Sequence, residues 1–80
     1  MSSQPIHSPL PGIFYRQPSP DKPPFKADGE PVAADDVIGL IEVMKSFHEI
    51  RAGVAGASIT FTVENEEPVM AGQILAEVAP

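Results

Sequence analysis

Eighty residues make one small domain, which buries only about 60% of the surface its unfolded chain exposes, so a large catalytic apparatus does not fit. There is no cysteine, and His7 and His48 stand alone, which excludes a disulfide framework and leaves no expected metal site. Eleven acidic against five basic residues give a net charge of −6, the wrong sign for a phosphate-backbone partner, so no nucleic acid is expected.

The start, Met1-Ser2-Ser3-Gln4-Pro5, has neither a basic nor an apolar leader segment, and no apolar run reaches the roughly 20 residues of a bilayer span. These features predict a cytoplasmic protein with no membrane partner. Residues 1–7 read as a flexible N-terminal segment ahead of a domain over 8–80. Eight of the ten prolines precede Ala33, which removes helix from most of the first third. Within it, Gly12-Ile13-Phe14-Tyr15-Arg16 is a short β-prone run, and Pro18-Ser19-Pro20-Asp21-Lys22-Pro23-Pro24 has the chemistry of a stiff loop.

The middle of the chain supports two readings. Val37, Leu40, Ile41, Met44 and Phe47 fall at helical spacing, with Asp35 or Asp36 available as a cap, so a helix over 36–51 is respectable. Against it, Gly39 interrupts the run, Val37, Ile38, Ile41, Val43 and Ile50 are β-branched, and no helical partner exists elsewhere. Further on, Ser58-Ile59-Thr60-Phe61-Thr62-Val63-Glu64 alternates polar and apolar residues, which predicts a strand with Ile59, Phe61 and Val63 on one buried face.

An internal repeat favours strands in the middle as well. Glu30-Pro31-Val32 aligns on Glu67-Pro68-Val69 at an offset of 37, carrying Val37 onto Ile74, Ile38 onto Leu75 and Ile41 onto Val78. A second match, Ser8-Pro9-Leu10-Pro11-Gly12 on Ala52-Gly53-Val54-Ala55-Gly56, has an offset of 44. The pattern predicts two similar β units about a pseudo-twofold axis, with seven extra residues between Arg16 and Glu30 of the first. If 37–43 and 46–52 are hairpin arms, Val43 faces Ser46, Ile41 faces His48, Gly39 faces Ile50 and Val37 faces Ala52. Met44-Lys45 is then the two-residue loop, a poor choice where both central residues need positive φ, which suggests that the tip is kept for function. A surface lysine is ordinarily a solvated charge; one held at a strained tip is a projecting nucleophile for an activated carboxylate.

Glu42-Val43-Met44-Lys45 resembles the Glu-Ala-Met-Lys biotinylation motif, and Ser8-Pro9-Leu10-Pro11-Gly12-Ile13-Phe14-Tyr15-Arg16 with Pro18-Ser19-Pro20-Asp21 resembles the start of the biotin carboxyl carrier proteins of acetyl-CoA carboxylase. The resemblance runs from about Ser8 to Val78. It implies an all-β fold, a flattened sandwich or barrel-sandwich hybrid of two four-stranded sheets, with biotin attached covalently to Lys45 and a protruding thumb over about 17–25 that contacts it. It further implies a non-catalytic carrier that takes carboxylate from a biotin carboxylase subunit to carboxyltransferase subunits for malonyl-CoA and fatty acid synthesis. Met44 and Glu42 would serve recognition by a biotin protein ligase, Met44 also the geometry of carboxylation. Val43 stands where Ala is commoner, and Ser46 where Met or Leu usually follows the lysine.

Other readings share the residues. A carrier for propionyl-CoA, pyruvate or urea carboxylation differs only in the acceptor, and a lipoyl domain would typically show Asp-Lys-Ala at the turn rather than Met-Lys-Ser. An unmodified interaction module would use 36–51 as a docking helix. His48 reads as a strand side chain beneath the hairpin, and Asp35-Asp36 and the acidic stretch from Glu64 to Glu67 as solvated edges.

Overall fold

The computed structural model describes residues 3–80. Seven strands, β1 (Gln4–His7), β2 (Gly12–Tyr15), β3 (Val37–Val43), β4 (Ser46–Arg51), β5 (Ser58–Phe61), β6 (Glu67–Val69) and β7 (Ile74–Ala79), form two antiparallel sheets in the orders β4-β3-β2-β6 and β1-β7-β5. Among the described residues there is no helix, so 36–51 is not one, and no helix is long and apolar enough to cross a membrane. The expectation of a flexible segment over 1–7 is corrected: Gln4–His7 is a strand laid on β7, with Ile6 in the core, while Met1 and Ser2 lie outside the described residues.

The two sheets are copies of one plan, visible in the hydrogen-bond registers. Ile41 pairs with His48 and Gly39 with Ile50 in one sheet; Val78 pairs with Gln4 and Ala76 with Ile6 in the other. Offsets of 37 and 44 relate every member. Both ladders break at the same place, between Val37 and Gly39 and between Ile74 and Ala76, and the extra residue of each bulge, Ile38 and Leu75, is fully buried. The bulge also sets Val37 opposite Arg51, one residue short of the expected Ala52.

The turns repeat too. Ala33 N–H donates to Asp36 Oδ2 (2.8 Å) and Met70 N–H to Gln73 Oε1 (2.9 Å); Ala27 N–H is braced by the Glu30 carboxylate as Glu64 N–H is by that of Glu67. Arg16 N–H donates to Asn65 Oδ1 as Phe61 N–H does to Asp28 Oδ1. Where β6 edges the first sheet through the Glu66 N–H to Phe14 carbonyl bond (2.7 Å), residues 29–32 edge the second through Gly29 N–H to the Ile59 carbonyl (2.7 Å) and Ile59 N–H to the Glu30 carbonyl (2.9 Å). That edge counts as a single bridge, Val32 with Gly56, so the second sheet has three strands and a vestige of the expected fourth. Pro31 and Pro68 sit on these edges, where a missing N–H costs no ladder bond.

β2 and β5 match at 45, because Phe14 pairs with Ile41 as Ile59 pairs with Val78. Ten residues, 17–26, separate Arg16 from Ala27, against two, Thr62 and Val63, between Phe61 and Glu64. The first half therefore carries eight extra residues rather than seven. They form a loop closed by Phe25 N–H donating to the Arg16 carbonyl (2.9 Å), with a turn at Lys22 and Ser19 and a Ser19 hydroxyl to Asp21 bond inside it. At its base the Arg16 guanidinium lies 4.1 Å over the Phe61 ring and pairs with Asp28. Between the sheets Phe14, Ile38, Ile41, Ile59 and Leu75 are completely buried.

Candidate functional site

β3 and β4 are joined by Met44 and Lys45, with φ of 50° and 69°, so both central residues of the turn lie in the left-handed region. This is the geometry that suits the right-handed twist of a hairpin and normally selects Asn-Gly. Holding two side-chain-bearing residues there costs on the order of 1–3 kcal/mol. The strands supply the constraint: Val43 with Ser46, Glu42 with Phe47, Ile41 with His48 and Leu40 with Glu49 fix the register up to the tip, and Ile41 anchors β3 in the core.

The side chains at the tip point away from the body. Met44 is 93% exposed and Lys45 is exposed, and among the described residues no hydrogen bond or ion pair engages Lys45. The other two lysines differ: Lys26 is bound to Asp36 at 3.1 Å and to the Pro31 carbonyl, and Lys22 lies in the 17–25 loop. A primary amine on a tip, uncrowded and unpaired, fits amide formation with the carboxyl of a cofactor such as biotin.

Glu42, three residues before the lysine, faces outward on β3, where the Tyr15 hydroxyl donates to its Oε1 at 2.8 Å. The Tyr15 ring lies 5.9 Å from that of Phe47, an exposed aromatic on β4 two residues after the lysine. The hydrogen bond to the Glu42 carboxylate pushes the Tyr15 phenol above its usual range, with desolvation and the charges of Glu42 and Glu66 adding to it. Met44, Lys45 and Glu42 are thus gathered at one end of one hairpin; Tyr15 and Phe47 belong to the same end and were not singled out by sequence. The diagonal contact depends on how β2 lies against β3, which no local pattern encodes. His48 is an exposed strand residue opposite Ile41.

Fold and tip together define a carrier-type domain, one built to present a group. The chain belongs to the family described as "Biotin-requiring enzyme", whose model matches residues 4–78. It is 38% identical over 74 residues to the biotin carboxyl carrier protein of acetyl-CoA carboxylase of Chlamydia pneumoniae, covering 92% of this chain and 44% of the relative. The protein of that name from Nostoc sp. is 37% identical over 75 residues, covering 94% and 41%, and a chloroplastic form from Arabidopsis thaliana is 37% identical over 76 residues, covering 95% and 30%. This chain therefore spans less than half the length of these relatives. Among solved structures, the urea carboxylase of Kluyveromyces lactis matches with a TM-score of 0.77 at 24% identity, over 99% of this chain and 6% of the larger one, which is a likeness of fold.

Proposed function

We propose that Lys45 carries biotin in amide linkage and that the chain is the biotin carrier of an acetyl-CoA carboxylase, serving malonyl-CoA and fatty acid synthesis in the cytoplasm. The observation that carries the reading is the tip itself: an exposed, unpaired lysine held at φ 69° behind a methionine at φ 50°. The names of the relatives support acetyl-CoA as the acceptor over propionyl-CoA, pyruvate or urea, and Met-Lys-Ser at the turn supports biotin over lipoate.

The chain's own residues have three tasks. Lys45 Nζ, once deprotonated in the ligase site, attacks the acyl carbon of an adenylated biotin; an amide forms and AMP leaves. Met44, nearly free of contacts, offers an apolar handle beside that nitrogen, and Glu42 a carboxylate on the adjoining face. The hairpin then holds the arm clear of the sandwich so that it reaches successive sites on the biotin carboxylase and carboxyltransferase subunits, the length of arm setting its effective concentration at each. Bound there, biotin supplies a ureido nitrogen that accepts carboxylate and releases it to an acceptor. The loop over 17–25, closed by the Phe25 N–H on the Arg16 carbonyl, would be the thumb that helps to hold the group. The carrier itself makes and breaks no bond of the substrate.

Co-expression with a biotin protein ligase followed by an avidin gel shift tests this: the wild-type chain shifts and Lys45→Arg does not. A shifted Lys45→Arg band, or an unshifted wild type that reacts with antibody to lipoic acid, would overturn it.

A further inference from the structure

The pseudo-twofold gives the Tyr15, Glu42 and Phe47 cluster an internal control. Under the offsets of 45, 37 and 44 that relate the sheets, these positions fall on Thr60, Ala79 and Ser3. Thr60, Ala79 and Ser3, with Glu77 and Thr62, line a shallow depression on the outer face of the second sheet. The same backbone plan therefore leaves a hollow at one end and fills it with two rings and a carboxylate at the other. The fold does not require the cluster, since its twin is built without it. What separates the two ends is the Met44-Lys45 turn: it joins β3 to β4 where the twin position holds the two ends of the described chain.

We infer that Tyr15 is a positioning residue for modification of the lysine: it holds the Glu42 carboxylate on the outer face of β3, where an enzyme that acylates Lys45 reads it. The inference rests on the proposed biotinyl role of Lys45. Glu42 is otherwise a long, rotatable side chain on a solvent face. The hydroxyl of Tyr15 at 2.8 Å fixes it, and the Tyr15 ring is steadied by Phe47. Ordering the carboxylate before encounter lowers the entropy lost on binding, an effect felt in affinity for the enzyme rather than in the acylation step. The chemistry selects a partner that offers a cation or a pair of N–H donors to Glu42 while seating the lysine arm at its activated acyl group.

The test is transfer of labelled biotin from ATP and biotin by a purified biotin protein ligase to the unmodified 80-residue chain and to Tyr15→Phe, Glu42→Gln, the double variant, Thr60→Val and Lys45→Arg. Tyr15→Phe keeps the ring and loses only the donor. It raises KM for the carrier roughly five-fold with kcat unchanged. The double variant is no worse than Glu42→Gln, because Tyr15 acts through that carboxylate, and Thr60→Val behaves as wild type. Equal KM for Tyr15→Phe and wild type, or additive losses in the double variant, would overturn the positioning role alone. A wild-type chain that takes no label, or label that persists in Lys45→Arg, would overturn the biotinyl reading instead.

Discussion

Gly12 and Gly56 occupy one position twice: a methyl group on Gly12 would collide with the Glu42 carbonyl and Ile41 Cγ2, and one on Gly56 with the Ala79 carbonyl and Val78 Cγ1. Glu42 and Ala79, and Ile41 and Val78, are themselves twofold mates. Each glycine lets one chain cross close over the end of a central strand. Gly12→Ala and Gly56→Ala are therefore expected to destabilise by similar amounts, about 1–3 kcal/mol each, as overpacked sites do. Urea unfolding of the two variants checks this, and a large difference between them would show that the halves are not equivalent in energy.

The strained tip makes a second expectation. Replacing Met44-Lys45 by Asn-Gly supplies the residues the turn prefers and should stabilise the protein by about 1–2 kcal/mol. For a domain of this size each 1 kcal/mol moves Tm by roughly 4–8 °C. Lys45→Arg retains a side chain at positive φ and should leave Tm where it is. Thermal melts of the three proteins distinguish these outcomes.

Tyr15 is the sole tyrosine, so its ionisation can be followed by ultraviolet absorbance without interference. Its bond to Glu42 raises the phenol pKa, so the titration should fall above the ordinary value of about 10. Because the folded pKa is the higher one, the stability this contributes is complete below the unfolded value and is lost as pH rises through the folded one. Glu42→Gln should bring the midpoint down. A midpoint that does not move would mean that the hydroxyl and carboxylate are apart in solution.

Asp36 contributes to the acid limb. The Ala33 N–H, and then the Lys26 ammonium at 3.1 Å, hold its carboxyl below the usual carboxylate range. Its contribution is present above the unfolded pKa of about 3.9 and disappears as pH falls through the lower folded value. Asp36→Asn should therefore lower stability at neutral pH and flatten the loss below pH ~4. Denaturation midpoints measured from pH 7 down to pH ~2 would reveal the flattening.

Much of this molecule was readable from period and repeat. Gly39 and the β-branched residues of 37–43 and Ile50, with a repeat to arbitrate, pointed to the hairpin and the pairs Val43 with Ser46, Ile41 with His48 and Gly39 with Ile50. What escaped were features that do not change composition. A bulge adds a residue without altering which residues are apolar, so Arg51 opposite Val37 was not foreseen. One extra residue between Gly56 and β5 shifted the alignment from 44 to 45 and turned an insertion of seven into eight. β1 was missed because Gln4-Pro5-Ile6-His7 has one apolar side chain to bury and owes its strand form to the edge of β7. The repeat aligns Glu66, at φ 64°, with Gly29, at φ 92°, so the left-handed position recurs without its glycine. The Tyr15 to Glu42 bond needed the β2 register, which is information about two distant segments at once.

β7 begins beside His7, and the short link over 8–11 returns from there to Gly12, at the Glu42 end of β3. Its six residues then run away from the lysine for roughly 20 Å and finish at Ala79, with Gln4 opposite Val78. Both ends of the described chain thus emerge side by side, where the twin of the Met44-Lys45 turn would stand. Any segment joined to either end pulls from behind the domain. A domain of this shape held at either end would swing like a flail, with the Met44-Lys45 turn as its far tip whichever end is held.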